Sequence, residues 1–96
     1  MHGDDGAPSE RWMKELTRVG ALSEREMQVF SLLGAGHSNR GIAARLHVTE
    51  RTIKAHVASI LAKLEVESRL QVGLVAQAYQ LMYEGTVPNR PGVTDN

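Results

Sequence analysis

Apolar residues fall into four runs with helical spacing, separated by short polar or glycine-bearing breaks. The first run places Val29, Phe30 and Leu33 on one face. It opens at Ser23-Glu24-Arg25-Glu26, where a serine hydroxyl and a glutamate three residues on can satisfy each other's backbone N–H groups. Gly34-Ala35-Gly36 ends it, because a glycine there can adopt the left-handed cap. Ser38 caps a second helix that turns Ile42, Ala43 and Leu46 inward. Gly41 inside that helix costs roughly 1 kcal/mol relative to Ala, which a closely passing backbone would explain.

Thr49 caps the third helix, about 50–64. On a wheel of about 100° per residue, Ile53, Val57, Ile60, Leu61 and Leu64 form one apolar stripe. Arg51, Lys54, Ala55, Ala58 and Ala62 lie opposite, and Thr52, His56, Ser59 and Lys63 share a flank. The fourth helix starts at Ser68 and runs to about Tyr83. It carries two apolar strips, Leu70, Leu74, Ala78 and Leu81 on one side and Val72, Ala76, Tyr79 and Tyr83 on the other. Two strips imply two partners: the domain's own core, and a second subunit. The fold class is all-α, four helices with room for an additional short N-terminal helix.

The flanks differ in composition. Residues 1–8 are rich in Gly, Asp and Pro and read as a disordered tail. Residues 9–20 read as a linker or a short helix capped by Ser9, with Trp12, Leu16 and Val19 on one face and Gly20 at its end. Residues 21–84 make the domain, and residues 85–96 a flexible, proline-containing tail. The 96 residues, 42% hydrophobic, suffice for one small core. With no cysteine, disulfides and Cys-based zinc sites are excluded. No apolar run approaches the roughly 20 residues of a membrane span, and Met1–Gly6 lacks the apolar segment of a secretory signal. A cytoplasmic location is expected, with no membrane partner.

Formal net charge is zero. Its distribution is not uniform: residues 40–63 hold Arg40, Arg45, Arg51, Lys54 and Lys63 against Glu50 alone. A local basic surface matters more for a polyanionic partner than the total does.

The second and third helices are separated only by His47-Val48-Thr49, the turn of a helix-turn-helix. The second helix of such a unit enters the DNA major groove and reads bases with its N-terminal half. Arg51, Lys54, Ala55 and Ala58 occupy those positions. Lys54 can donate to guanine O6 and N7, and the two alanines can touch thymine methyls. Free N–H groups at two helix starts, beside Ser38, Asn39, Thr49 and Thr52, suit phosphate oxygens, and Ser59 adds a hydroxyl.

The pattern is wider than a bare helix-turn-helix. Leu22-Ser23-x-Arg25-Glu26 is followed by Leu32-Leu33-x-x-Gly36-x-Ser38-Asn39-Arg40-x-Ile42-Ala43. Then comes Leu46-x-Val48-Thr49-x-x-Thr52-Ile53-Lys54-x-His56-Val57-x-x-Ile60-Leu61-x-Lys63-Leu64-x-Val66-x-Ser68-Arg69. Over about residues 21–83 this resembles the LuxR-type DNA-binding domain, the four-helix module of LuxR, NarL, FixJ-like and GerE-like bacterial regulators. The resemblance implies a homodimeric, sequence-specific regulator of transcription on double-stranded DNA, paired through the fourth helix. It implies that Lys54, Ala55 and Ala58 face bases, while Thr52, Lys63 and Arg69 lie near phosphates; His56, from its own position on the flank of the third helix, is expected to pack beside that helix and reach a phosphate. It leaves Leu70, Leu74, Ala78 and Leu81 for the partner subunit. RNA polymerase is a further partner that such a regulator can take. The chain departs from the family at Gly41, where glutamate is usual, at Glu65, where glycine is usual, and at Glu67 and Ala58. A sensor domain commonly precedes the module, so the chain reads either as a free-standing regulator or as an excised effector domain.

Other chemistry is weakly supported. His37, His47 and His56 sit on different elements and make no metal pair. There is no phosphate-binding glycine loop, nucleophile elbow or HExxH, so neither an enzyme nor a cofactor is expected. The alternative from another class is a helix-turn-helix turned protein-interaction module, binding another regulator or RNA polymerase with weak or no DNA affinity. Zero net charge, Ala58, Glu65 and Glu67 favour it; the intact Thr52-Ile53-Lys54-x-His56-Val57 face opposes it. A sigma-factor region 4-like domain shares the helix-turn-helix but not the Ile60-Leu61-x-Lys63-Leu64 ending.

Overall fold

The computed structural model describes residues 12–84. Its helices are α1 (Met13–Arg18), α2 (Glu24–Gly34), α3 (Asn39–Leu46), α4 (Glu50–Leu64) and α5 (Arg69–Glu84), with a 3-10 turn at Val19–Ala21 between α1 and α2. No strand occurs among the described residues, and the fold is all-α. The expected Ser9 cap and both tails lie outside the described residues. Gly20 does not stop α1; the chain tightens into the 3-10 turn instead.

The helix starts follow side-chain chemistry. Ser23 Oγ accepts from Glu26 N–H at 3.1 Å, and Glu26 Oε1 accepts from Ser23 N–H at 2.9 Å. Ser38 Oγ accepts from Gly41 N–H at 3.0 Å, and Thr49 Oγ1 from Thr52 N–H at 3.1 Å. A further capping box opens α5. Ser68 Oγ accepts from Gln71 N–H at 3.2 Å, and Gln71 Oε1 accepts from Ser68 N–H at 3.0 Å. The Ser-x-x-Gln spacing signals it in the sequence.

Three helices end alike, on a left-handed residue that returns the next N–H to the last turn. Gly36 (φ +93°) lets His37 N–H reach Leu32 C=O. His47 and Glu65, both at φ 59°, do the same for Val48 and Val66. Only the first of these positions is a glycine, so the other two ends carry local backbone strain.

Packing of α2, α4 and α5 makes the core. Val29 and Phe30 from α2 are buried with Ile53, Ile60 and Leu64 from α4 and Val72, Val75 and Ala76 from α5. Ile42 and Ala43 seat α3 on this core, and Val19 with Trp12 and Leu16 seats the N-terminal segment. Phe30 and Tyr79 meet edge-to-face at 5.9 Å, and Tyr83 stacks obliquely on Tyr79 at 4.6 Å while staying mostly exposed.

The close approach expected at Gly41 occurs elsewhere. A Cβ on Gly41 would meet only ordinary contacts, the nearest being Ser38 Oγ at 3.4 Å. At Gly34 it would lie 2.6 Å from Ala76 Cβ. The glycine that the packing needs is therefore at the α2–α5 crossing. Among the described residues no helix is long and apolar enough to cross a membrane.

Candidate nucleic-acid interface

The turn Leu46–Thr49 joins α3 to α4. His47 takes the left-handed conformation that closes it, and half-buried Val48 packs down against the core. The stripe Ile53, Val57, Ile60 and Leu64 is buried, with Leu61 half-buried beside it. That burial fixes the rotation of α4 and turns Arg51, Lys54, Ala55, Ala58 and Ala62 to the surface, where all five are exposed. Among the described residues, Arg51 and Lys54 have no hydrogen-bond or ion-pair partner. The small alanines leave the helix thin between these cations, so a groove wall can approach the backbone closely.

The polar residues flanking this face are preorganised to different degrees. Thr49 Oγ1 donates to Thr52 Oγ1 at 3.1 Å, which leaves the Thr52 hydroxyl hydrogen for an outside acceptor. His56 is half-buried on the same flank. Asn39 and Arg69, far apart in sequence, are brought together: the Arg69 guanidinium donates to Asn39 Oδ1 and, at 2.8 Å, to His37 C=O. Arg69 thereby ties the loop before α3 to the start of α5. With its carbonyl oxygen engaged, Asn39 keeps its amide hydrogens for other acceptors.

Ser59 and Lys63 make contacts that run toward α2. Both were expected to face phosphates, yet both are hydrogen-bonded to Glu26. Ser59 Oγ donates to Glu26 Oε2 at 2.6 Å, and Lys63 Nζ donates to Glu26 Oε1 at 2.8 Å. Glu26 is only 7% exposed. The Lys63 and Ser59 hydrogen bonds, with the Ser23 N–H, hold its carboxyl down at about 2, against the opposing effect of burial. A carboxylate buried on this scale needs a cation, and the flank of α4 that faces α2 supplies it. The capping box accounted for Glu26 in the sequence, but its second set of partners depends on how α2 and α4 cross. Glu65 is paired at the surface: Arg18 meets its carboxylate at 3.4 Å and donates to Leu64 C=O at 3.3 Å.

On α5, Val72 and Ala76 face the core, joined by Val75, which neither expected strip included. Leu70 and Leu81 are 72% and 70% exposed, and Leu74 41%. These three lie within about 40° of one another on a helical wheel. Ala78 does not join them; it is 5% exposed. Its azimuth falls about midway between that strip and Val75, and a methyl is too short to reach past its neighbours. An open groove lined by Leu33, His37, Asn39 and Arg69 continues to Leu70 and Leu74. Among the described residues no three His, Cys, Asp or Glu side chains cluster as a metal site.

Residues 20–76 match the family model of bacterial regulatory proteins, luxR family. The chain is 44% identical over 72 residues to "Response regulator protein VraR" of Staphylococcus aureus, strain COL, and equally to the protein of that name from Staphylococcus epidermidis. The aligned region covers 75% of this chain and 34% of each relative, so the match spans about a third of those proteins' length. With a helix-turn-helix seated as described and a match over most of its folded part, the chain belongs to the luxR family of bacterial regulatory proteins.

Proposed function

We infer that this chain is a DNA-binding module of a transcription regulator, with α4 entering the major groove of double-stranded DNA. One observation carries the reading: α4 presents Arg51, Lys54, Ala55 and Ala58 outward, with both cations unpaired among the described residues, on a helix locked from behind by buried Ile53, Val57, Ile60 and Leu64. Arg51 and Lys54 would read base edges, and Ala55 and Ala58 would lie against thymine methyls. Ser38, Asn39, Thr49, Thr52 and His56 would take the backbone on either side. The relatives' name supports an effector role within a response regulator.

The same reading includes a homodimer paired through α5. The exposed Leu70, Leu74 and Leu81 strip supports it, since three large apolar side chains in one row are a costly surface to leave in water. Titration of a random-sequence duplex across a salt series, followed by selection of a preferred site from a randomised pool, tests the whole reading. Salt-dependent binding that sharpens on a selected inverted repeat is the expected result. Binding to a protein partner with no affinity for any duplex would favour the interaction-module alternative.

A further inference from the structure

Glu26, Lys63 and Ser59 form a closed set whose consequence goes beyond stability. Lys63 lies on the flank of α4 that carries Thr52 and His56, and its side chain is 39% exposed. Its ammonium is nonetheless turned onto a carboxylate that is almost wholly buried. Oε1 serves both Lys63 and the Ser23 N–H, while Oε2 serves Ser59, so the carboxylate sits between the start of α2 and the later turns of α4. An ammonium facing a phosphate in place of this carboxylate would leave a buried anion with two neutral donors, an expensive exchange.

We propose that Glu26 withholds Lys63 from the DNA backbone, which lowers sequence-independent affinity and leaves discrimination to Arg51 and Lys54. The inference rests on the DNA-binding reading above. Each cation that neutralises a phosphate adds about 0.9 to the slope of log affinity against log salt. Lys63, paired internally, adds nothing to that slope, although charge alone counts it with Arg40, Arg45, Arg51 and Lys54. Glu26 acts through Lys63 and touches no DNA, so it is a positioning residue.

The substitution Glu26→Gln tests this role while keeping the capping box. A glutamine serves a capping box as well as a glutamate, and its amide can still meet Ser23 and Ser59, but it no longer holds an ammonium by charge. The test uses the full 96-residue chain, with fluorescence anisotropy on a random-sequence duplex over about 50–300 mM salt, the range in which counterion release is readily measured. Wild type and Lys63→Met should share one salt slope. Glu26→Gln should steepen it by about 0.9 and tighten binding roughly five- to tenfold near 0.1 M salt. The double variant should return to the wild-type slope, which a general loosening of the fold would not produce. A slope about one unit shallower in Lys63→Met would place Lys63 on a phosphate already and overturn the proposal. So would a Glu26→Gln slope equal to wild type. Should Glu26→Gln fail to fold by circular dichroism, the Lys63→Met comparison alone decides between the same two outcomes. Absence of duplex binding by every variant at every salt would overturn the DNA-binding reading and this inference together; binding with the wrong slopes overturns this inference alone.

Discussion

Lys54 projects from the exposed face of α4 without a partner among the described residues, so its ammonium brings a full charge to any groove that receives the helix. Replacing it by alanine should weaken binding to a selected site by roughly 1–3 kcal/mol, the scale of one good base contact. Gel-shift titration checks this, and an unchanged affinity in a folded variant would remove Lys54 from the reading face. Glu26 is the opposite kind of residue, charged but internal. Its carboxyl titrates at about 2 when folded against 4.5 when free. A lowered folded value means that the carboxylate stabilises the protein at pH above about 4.5, and that this contribution is lost as pH falls toward 2. At neutral pH it is on the order of 3 kcal/mol. In urea melts, the advantage of wild type over Glu26→Gln should therefore shrink steadily as the pH is lowered through that window; a gap that does not change with pH would deny the pairing. Glu65 carries strain instead of charge balance. A left-handed conformation costs a non-glycine residue roughly 1–2 kcal/mol, and its exposed pair with Arg18 returns less than about 1 kcal/mol. Glu65→Gly should raise the urea midpoint, by up to about 1 kcal/mol in stability, and a fall would mean that the Arg18 contact outweighs the backbone.

At the scale of elements, identical substitutions at two helical glycines should act with opposite sign. Gly41→Ala removes the entropic penalty of glycine inside α3 and meets only ordinary van der Waals contacts, so stability should rise by up to about 1 kcal/mol. Gly34→Ala drives a methyl to within 2.6 Å of Ala76 Cβ, and the helices must part or repack. Overpacking of this kind costs about 1–3 kcal/mol. Thermal melts of the two variants check the contrast, and two shifts in the same direction would refute it. In the sequence Gly34 belongs to the run that ends one helix and Gly41 lies inside the next, and neither position by itself reveals a close neighbour. The distinction arises where α2 crosses α5. The same crossings explain Ser59 and Lys63. The wheel places both on the flank of Thr52 and His56, correctly, but whether that flank meets solvent or a neighbouring carboxylate depends on the position of α2.

At the scale of the whole molecule, Leu70, Leu74 and Leu81 leave an apolar row that the protomer does not cover. A symmetric dimer through α5 would set two recognition helices to read inverted half-sites about one turn, roughly 10 base pairs, apart. Leu74→Asp should preserve the circular dichroism spectrum while abolishing occupancy of the paired site, whereas Val72→Asp, at a fully buried position, should unfold the domain. Undiminished pairing in Leu74→Asp would exclude α5 as the contact. The amino-acid sequence by itself determined the helices, because Ser23, Ser38 and Thr49 announce their starts and the 3.6-residue period of Ile53, Val57, Ile60 and Leu64 marks the face that must be buried. It also determined, through that period, that Arg51, Lys54, Ala55 and Ala58 point away from the core. Tertiary structure alone decided what the flanks meet. It put Lys63 and Ser59 on Glu26, joined Arg69 to the loop before α3, enclosed Ala78 and made Gly34 the indispensable glycine. Periodicity fixes an azimuth about one helix axis, but the partner at that azimuth is set by the crossing of two helices and by long-range contacts that no local pattern records.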